Sequence, residues 1–163
     1  MIEIREASPD EWDEAGRVTA DAYREFVRDT DWESYLARIA DVRGRADRTT
    51  ILVALDGGRV VGSATLELDT RVEPDDDPPL RQGEAHIRML GVAPSMRGRS
   101  VGRLLMDECE ARARDVGKTL MTLHTTQRMT AARAMYAKLG YEQGEDRDLG
   151  EGFIMLSFAK QLS

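Results

Sequence analysis

The stretch Arg97-Gly98-Arg99-Ser100-Val101-Gly102-Arg103 concentrates the chain's most suggestive chemistry. It follows the apolar run Met89-Leu90-Gly91-Val92 and leads into helical spacing at Val101, Leu104, Leu105 and Cys109. A strand, a basic glycine-bearing turn and a helix start, in that order, make a site for anions. The first amides of a helix have no intrahelical acceptor, and the helix dipole adds partial positive charge there. Glycine lets backbone approach a ligand, and Arg97, Arg99 and Arg103 add full charges, so the element suits a pyrophosphate. An ordinary strand-to-helix turn has the same pattern, and both readings stand on this stretch alone. Two histidines and one cysteine, widely spaced, do not make a transition-metal site. Cys109 falls on the apolar face of its helix and reads as core.

The elements that must hold this turn follow from periodicity. Ile2 and Ile4 open a short strand. Ser8-Pro9-Asp10-Glu11 is a helix start, with Ser8 as cap, Pro9 at the first position and Glu11 three residues after the cap. That helix is expected to reach residue 26, and a second to span 31–42. Residues 51–55 and 60–66 flank Asp56-Gly57-Gly58-Arg59, a hairpin signal. Residues 71–83 hold three prolines and Asp75-Asp76-Asp77 and read as a mobile, solvated loop. A strand is expected over 84–92, a helix over 100–116 stopped by Gly117, and a strand over 119–125. A helix over 130–139 ends at Gly140, and closing strands follow near 141–145 and 153–159. This β-α-α-β-β-β-α-β-α-β-β order implies a mixed sheet covered by helices on both faces.

At 163 residues, with 41% apolar and 33% charged residues, the chain reads as one soluble domain over residues 1–163. Its net charge of −7 argues against nucleic acid as a partner, because counterion release needs a basic surface. No apolar run approaches a membrane span and none has signal-peptide form, so no membrane partner is expected. One cysteine excludes an internal disulfide, and a cytoplasmic location is the default.

Two segments in the right order resemble one family. Arg97-Gly98-Arg99-Ser100-Val101-Gly102 resembles the R-x-x-G-x-G/A coenzyme A turn of GCN5-related N-acetyltransferases. Ala132-Arg133-Ala134-Met135-Tyr136-Ala137-Lys138-Leu139-Gly140-Tyr141 resembles their later A-x-x-x-Y-x-K-x-G-F helix. The resemblance implies an α/β (α+β) fold with a mixed, mostly antiparallel, splayed sheet of about seven strands flanked by helices. It also implies acetyl-CoA as co-substrate, no metal, and an acetyl group passed directly to a primary amine. A homodimer is compatible with it. The alternative is a catalytically silent acetyl-CoA-binding sensor or partner subunit. Two departures stand out: Ser100 replaces the first glycine of the turn, and Met129 stands where many relatives carry a coenzyme-contacting asparagine. Ser100 could cap the helix or reach phosphate.

By the same resemblance, Leu90, Gly91 and Val92 offer free backbone to the pantetheine arm, and residues 97–103 with Ala132 and Tyr136 complete the coenzyme site. Transfer needs a neutral amine, a polarised thioester and protonation of the departing thiolate. Tyr136 suits the last task, since a phenol of pKa about 10 donates readily. For the base, His86 and His124 fall where relatives carry glutamates, on strands expected to be neighbours. An imidazole of pKa about 6.5 suits proton abstraction at neutral pH. Glu84 is a third candidate, nearer the strand's solvent end. Residues 26–32, the acidic 71–83 loop and residues 146–152 would line the acceptor side, with Asp75, Asp76 and Asp77 attracting an amine.

Overall fold

The computed structural model describes residues 1–26, 33–75, 77–148 and 154–163. The chain forms β1 (Ile2–Glu6), α1 (Trp12–Arg24), α2 (Glu33–Ala40), β2 (Thr50–Asp56), β3 (Arg59–Glu67) and β4 (Glu84–Val92). It continues as α3 (Val101–Asp115), β5 (Leu120–Thr126), α4 (Thr130–Lys138), β6 (Glu142–Gln143), β7 (Arg147–Asp148) and β8 (Ile154–Gln161). Among the described residues the strands make one eight-stranded sheet, ordered β1-β2-β3-β4-β5-β8-β6, with β7 also on β8. Only β4 and β5 pair in parallel. The sheet is therefore mixed and mostly antiparallel, as expected, with one strand more. That extra strand arises because the stretch expected as a single strand near 141–145 is two residues long, and a second short strand, β7, pairs separately with β8.

Strand alternation sorts side chains between the two helical layers. In β2, Ile51, Val53 and Leu55 pack with Ala15 and Val18 of α1. Leu52 and Ala54 join Val101, Leu105 and Cys109 of α3 on the other face. The same parity puts Ala85 and Ile87 of β4 and Met121 and Leu123 of β5 into the α3 core. Glu84 and His86, and opposite them Thr122 and His124, are left on the α1 face.

β4 and β5 then part. Their pairing ends at Ile87↔Leu123. Against β3, Ser63 faces Gly91 and Thr65 faces Arg88, so β4 holds one extra residue there, and Met89 has φ 55°. A bulge bends its strand and increases the local twist. Beyond it β4 keeps β3 on one edge and leaves the other edge unpaired, while β5 continues along β8 to Thr126↔Met155. Gly91 lets α1 lie close over this bend, since a Cβ there would stand 3.0 Å from the Thr19 Cα.

Local details differ from expectation. The segment after Ser8 begins as a 3-10 turn (Pro9–Glu11) and turns α-helical at Trp12. The second helix ends at Ala40, two residues early, and its expected start at residues 31 and 32 lies outside the described residues. The described part of the 71–83 loop is pinned. Val72 is buried, its carbonyl accepts from Arg48 at 2.8 Å, and Asp77 pairs with Arg88 at 2.7 Å.

Candidate active site

On the α3 side, a groove of about 800 Å³ runs along the unpaired edge of β4 and over the start of α3. Leu90, Gly91, Val92, Arg97, Gly98, Ser100, Val101, Gly102, Arg103, Ala132 and Tyr136 all line it. Arg99 is exposed and stands outside the lining. The Leu104 amide donates to the Ser100 carbonyl at 3.0 Å, so the amides of residues 101–103 precede the first intrahelical bond. Gly98 has φ 79° with open space where a Cβ would be, which leaves the turn accessible from outside. These amides, the arginines and the free strand edge fit a pyrophosphate with an extended arm. Ser100 does not cap the helix as expected. It sits in the left-handed region at φ 64° without a side-chain cap bond, taking the conformation for which glycine is favoured. Arg97 is ion-paired with Glu25 across the groove.

Tyr136 is 5% exposed and packs edgewise on Tyr141 and Phe158, with ring centroids 6.1 and 5.7 Å away. Its hydroxyl has no hydrogen-bond partner among the described residues. Burial pushes its pKa up, which keeps the phenol protonated and able to donate.

On the α1 side, a second cavity of about 490 Å³ contains Glu84, His86 and His124. Three of the groups on this face form a chain. The Thr122 hydroxyl donates to Glu84 Oε2 at 2.6 Å, and His86 Nδ1 lies 2.7 Å from the same Thr122 oxygen. Burial acts on Glu84, but hydrogen bonds from Thr122 and Arg81 outweigh it and hold the carboxyl below its usual range. An ionised Glu84 must accept the Thr122 proton, so the Thr122 oxygen accepts from His86 Nδ1–H. The tautomer follows: His86 Nε2 is the unprotonated nitrogen. Burial, then His124, Arg71 and Arg88, hold the His86 pKa well below the ordinary value, so the ring is neutral at pH 7. His124 is more exposed, 5.0 Å away ring to ring, and lowered first by burial and then by Arg71, Arg88 and Arg147.

Glu84 is not at a solvent end: it is 7% exposed, and its two oxygens are held by Thr122 and by the Arg81 amide at 2.9 Å. The described residues of the acidic loop do not present free carboxylates to this cavity either. Asp77 is bound to Arg88, Asp75 is exposed, and Asp76 lies outside the described residues. So do most of the other acceptor-side segments expected, residues 27–32 and 149–152. Thr122 was missed in the sequence. Its signal was available, since it lies two residues before His124 and thus on the same face, but the register His86↔Thr122 was not.

The groove and the cavity share Tyr23, Phe26 and Met129 as lining, so they meet where β4 and β5 diverge. Met129 accepts a contact from the Thr125 hydroxyl at 3.4 Å. Among the described residues no group of His, Cys, Asp and Glu could hold a metal ion, and no helix is long and apolar enough to cross a membrane.

Residues 7–141 match the model of the Acetyltransferase (GNAT) family. The chain is 27% identical over 125 residues to a mycothiol acetyltransferase of Geodermatophilus obscurus, covering 77% of this chain and 39% of that protein. It is 30% identical over 90 residues to an IAA acetyltransferase of Azospirillum brasilense, covering 55% of this chain and 52% of that protein. The chain thus spans about half or less of the length of these curated relatives. The PaiA N-acetyltransferase of Thermoplasma acidophilum, solved in complex with coenzyme A, has a similar fold. Its TM-score is 0.73 at 17% identity, covering 96% of this chain and 98% of that one.

Proposed function

Because the chain belongs to the GNAT family of acetyltransferases, we propose that it transfers an acetyl group directly from acetyl-CoA to a primary amine. The observation that carries this reading is the junction of the two clefts at the β4–β5 splay, with a polarised histidine on one side and an anion-binding helix start on the other. Acetyl-CoA supplies the acetyl group as a thioester. The amides of residues 101–103, with Arg97 and Arg103, hold the pyrophosphate, and the free edge of Leu90, Gly91 and Val92 aligns the pantetheine arm. Glu25 gives up Arg97 as the phosphates arrive. His86 accepts the amine proton at Nε2 while Glu84, through Thr122, keeps the proton on Nδ1. The amine nitrogen bonds to the carbonyl carbon, the carbon–sulfur bond breaks, and Tyr136 donates to the sulfur. His124 touches the acceptor rather than serving as the base. The lone buried Cys109 accords with a cytoplasmic setting.

Thiol release from acetyl-CoA in the presence of a broad amine panel tests the reading. Release that depends on an amine supports it. Tight acetyl-CoA binding with no release from any amine would make the protein a silent binder. Gly102→Val probes the groove. Its first added carbon would meet the Met135 sulfur at 3.2 Å, and the branches would then fill the space beside the turn. Acetyl-CoA affinity should fall at least tenfold, about 1.4 kcal/mol, by calorimetry on folded protein.

A further inference from the structure

The described wall of the cavity beside His86 is cationic in a chain of net charge −7. Its wall holds Arg71, Arg81, Arg88 and Arg147 against Asp77 and Glu84. Among the described residues, even with Glu67 counted behind the wall, one positive charge is left over. The four arginines are not equivalent. Arg88 is bound to Asp77 at 2.7 Å, and Arg81 reaches Glu84 at 3.4 Å. Arg147 forms no ion pair among the described residues.

Arg71 is the anomaly. Its side chain is 10% exposed, yet among the described residues its nearest carboxylates are Glu67 at 3.6 Å and Asp77 at 4.0 Å, beyond hydrogen-bond reach. Among the described residues its buried Nε has no acceptor, and Glu67 Oε1, which faces Nη1, has no donor. A guanidinium has five N–H groups in a rigid fork, and leaving even one of them, here Nε, buried and unsatisfied is costly. A planar carboxylate matches that fork with two parallel bonds. Around it, Tyr23, Tyr35, Met89 and Met155 give the same cavity an apolar wall.

We propose that Arg71, assisted by Arg147, binds a carboxylate on the acceptor, so that the substrate is a small amino carboxylic acid with an apolar body. This rests on the acetyltransferase reading above and names its acceptor. The cavity of about 490 Å³ has the size of such a molecule rather than of a protein surface loop with its flanks. Positive charge near the acceptor also favours the neutral form of its amine, the form that reacts.

The test uses products, which bind without turnover: N-acetylphenylalanine and its uncharged amide, titrated calorimetrically into protein saturated with coenzyme A. The acid should bind at least tenfold more tightly than the amide, and Arg71→Gln should abolish that preference while leaving acetyl-CoA affinity unchanged. Equal binding of acid and amide by the wild type, or a preference that survives Arg71→Gln, overturns the proposal. Should Arg71→Gln not fold, the exposed Arg147→Gln decides. A preference reduced threefold or more supports the subsite, and an unchanged one overturns it. Thiol release by the wild type with any amine is scored separately, so a protein that binds the acid but acetylates nothing would sink the acetyltransferase reading and not the carboxylate site.

Discussion

Tyr136 and Thr122 each contribute a hydroxyl, and conservative replacements isolate it. Tyr136→Phe keeps the ring against Tyr141 and Phe158. It should leave fold and acetyl-CoA affinity intact while lowering kcat about 10²-fold, the scale of a general acid. Full kcat in the mutant would make Tyr136 a core residue. Thr122→Val preserves shape but leaves Glu84 and His86 without their shared partner. Stability should fall by about 1–3 kcal/mol, and kcat/KM by about tenfold or more at pH 7. Thr122→Ser should restore both. The rising limb of kcat/KM against pH, which an unperturbed imidazole would place at about 6.5, belongs below that value, because burial lowers both histidines. In Thr122→Val that limb should move, and a purely structural role for Thr122 would leave it in place.

Helix α1 and the turn before α3 are held by contacts that helix propensity does not describe. Gly16 lies where α1 passes α2, and a Cβ there would fall inside the Ala40 carbonyl. Propensity alone says that Gly→Ala in a helix stabilises by about 1 kcal/mol. The close approach says that Gly16→Ala destabilises by about 1–3 kcal/mol, since the helices must separate. Urea unfolding decides between the two signs. Ser100 makes the opposite case. Its left-handed backbone costs a non-glycine residue about 1–2 kcal/mol and makes no cap bond in return. Ser100→Gly should therefore raise the unfolding midpoint and keep or tighten acetyl-CoA binding. A large loss of binding would show the hydroxyl to be a phosphate contact. At the far end of α2, Arg45 is 3% exposed and donates to the Arg38, Ile39 and Asp41 carbonyls at 2.9–3.0 Å. Burial brings its pKa down to about 10. It closes a helix end that a sequence scan passes over as one more surface arginine.

The buried polar face makes the protein's stability depend on pH. His86 and His124 are both depressed in the folded state, chiefly by burial. Between their folded pKa values and about 6.5 the unfolded chain holds more protons, so stability rises with pH across that window. The contribution is complete above about 6.5 and is lost as pH falls through the folded values. Glu84, also lowered, adds a further loss at more acid pH. Tm should therefore be level above about pH 7 and fall below about 6.5. The double mutant His86→Gln/His124→Gln should flatten the upper part of that fall and leave the carboxylate part. An unchanged slope would mean that neither histidine has its pKa lowered by folding.

Local pattern was enough for the hairpin, the strand faces and the helix start before α3. Asp56-Gly57-Gly58-Arg59 makes the hairpin because both glycines take positive φ, at 59° and 81°. Period two puts Glu84 with His86, and Thr122 with His124, on common faces. The basic turn before α3 lines a groove because a helix start leaves its amides free. What local pattern does not contain is register and divergence. The parallel pairing that sets Thr122 beside His86, 36 residues away, depends on where β4 and β5 meet. The cavity depends on the bulge at Met89, which forces them apart. Arg71, read as part of a solvated loop, becomes a buried cation only because that loop folds back over Glu67. Such contacts join residues that no short window holds together, and only the packed sheet brings them within bonding distance.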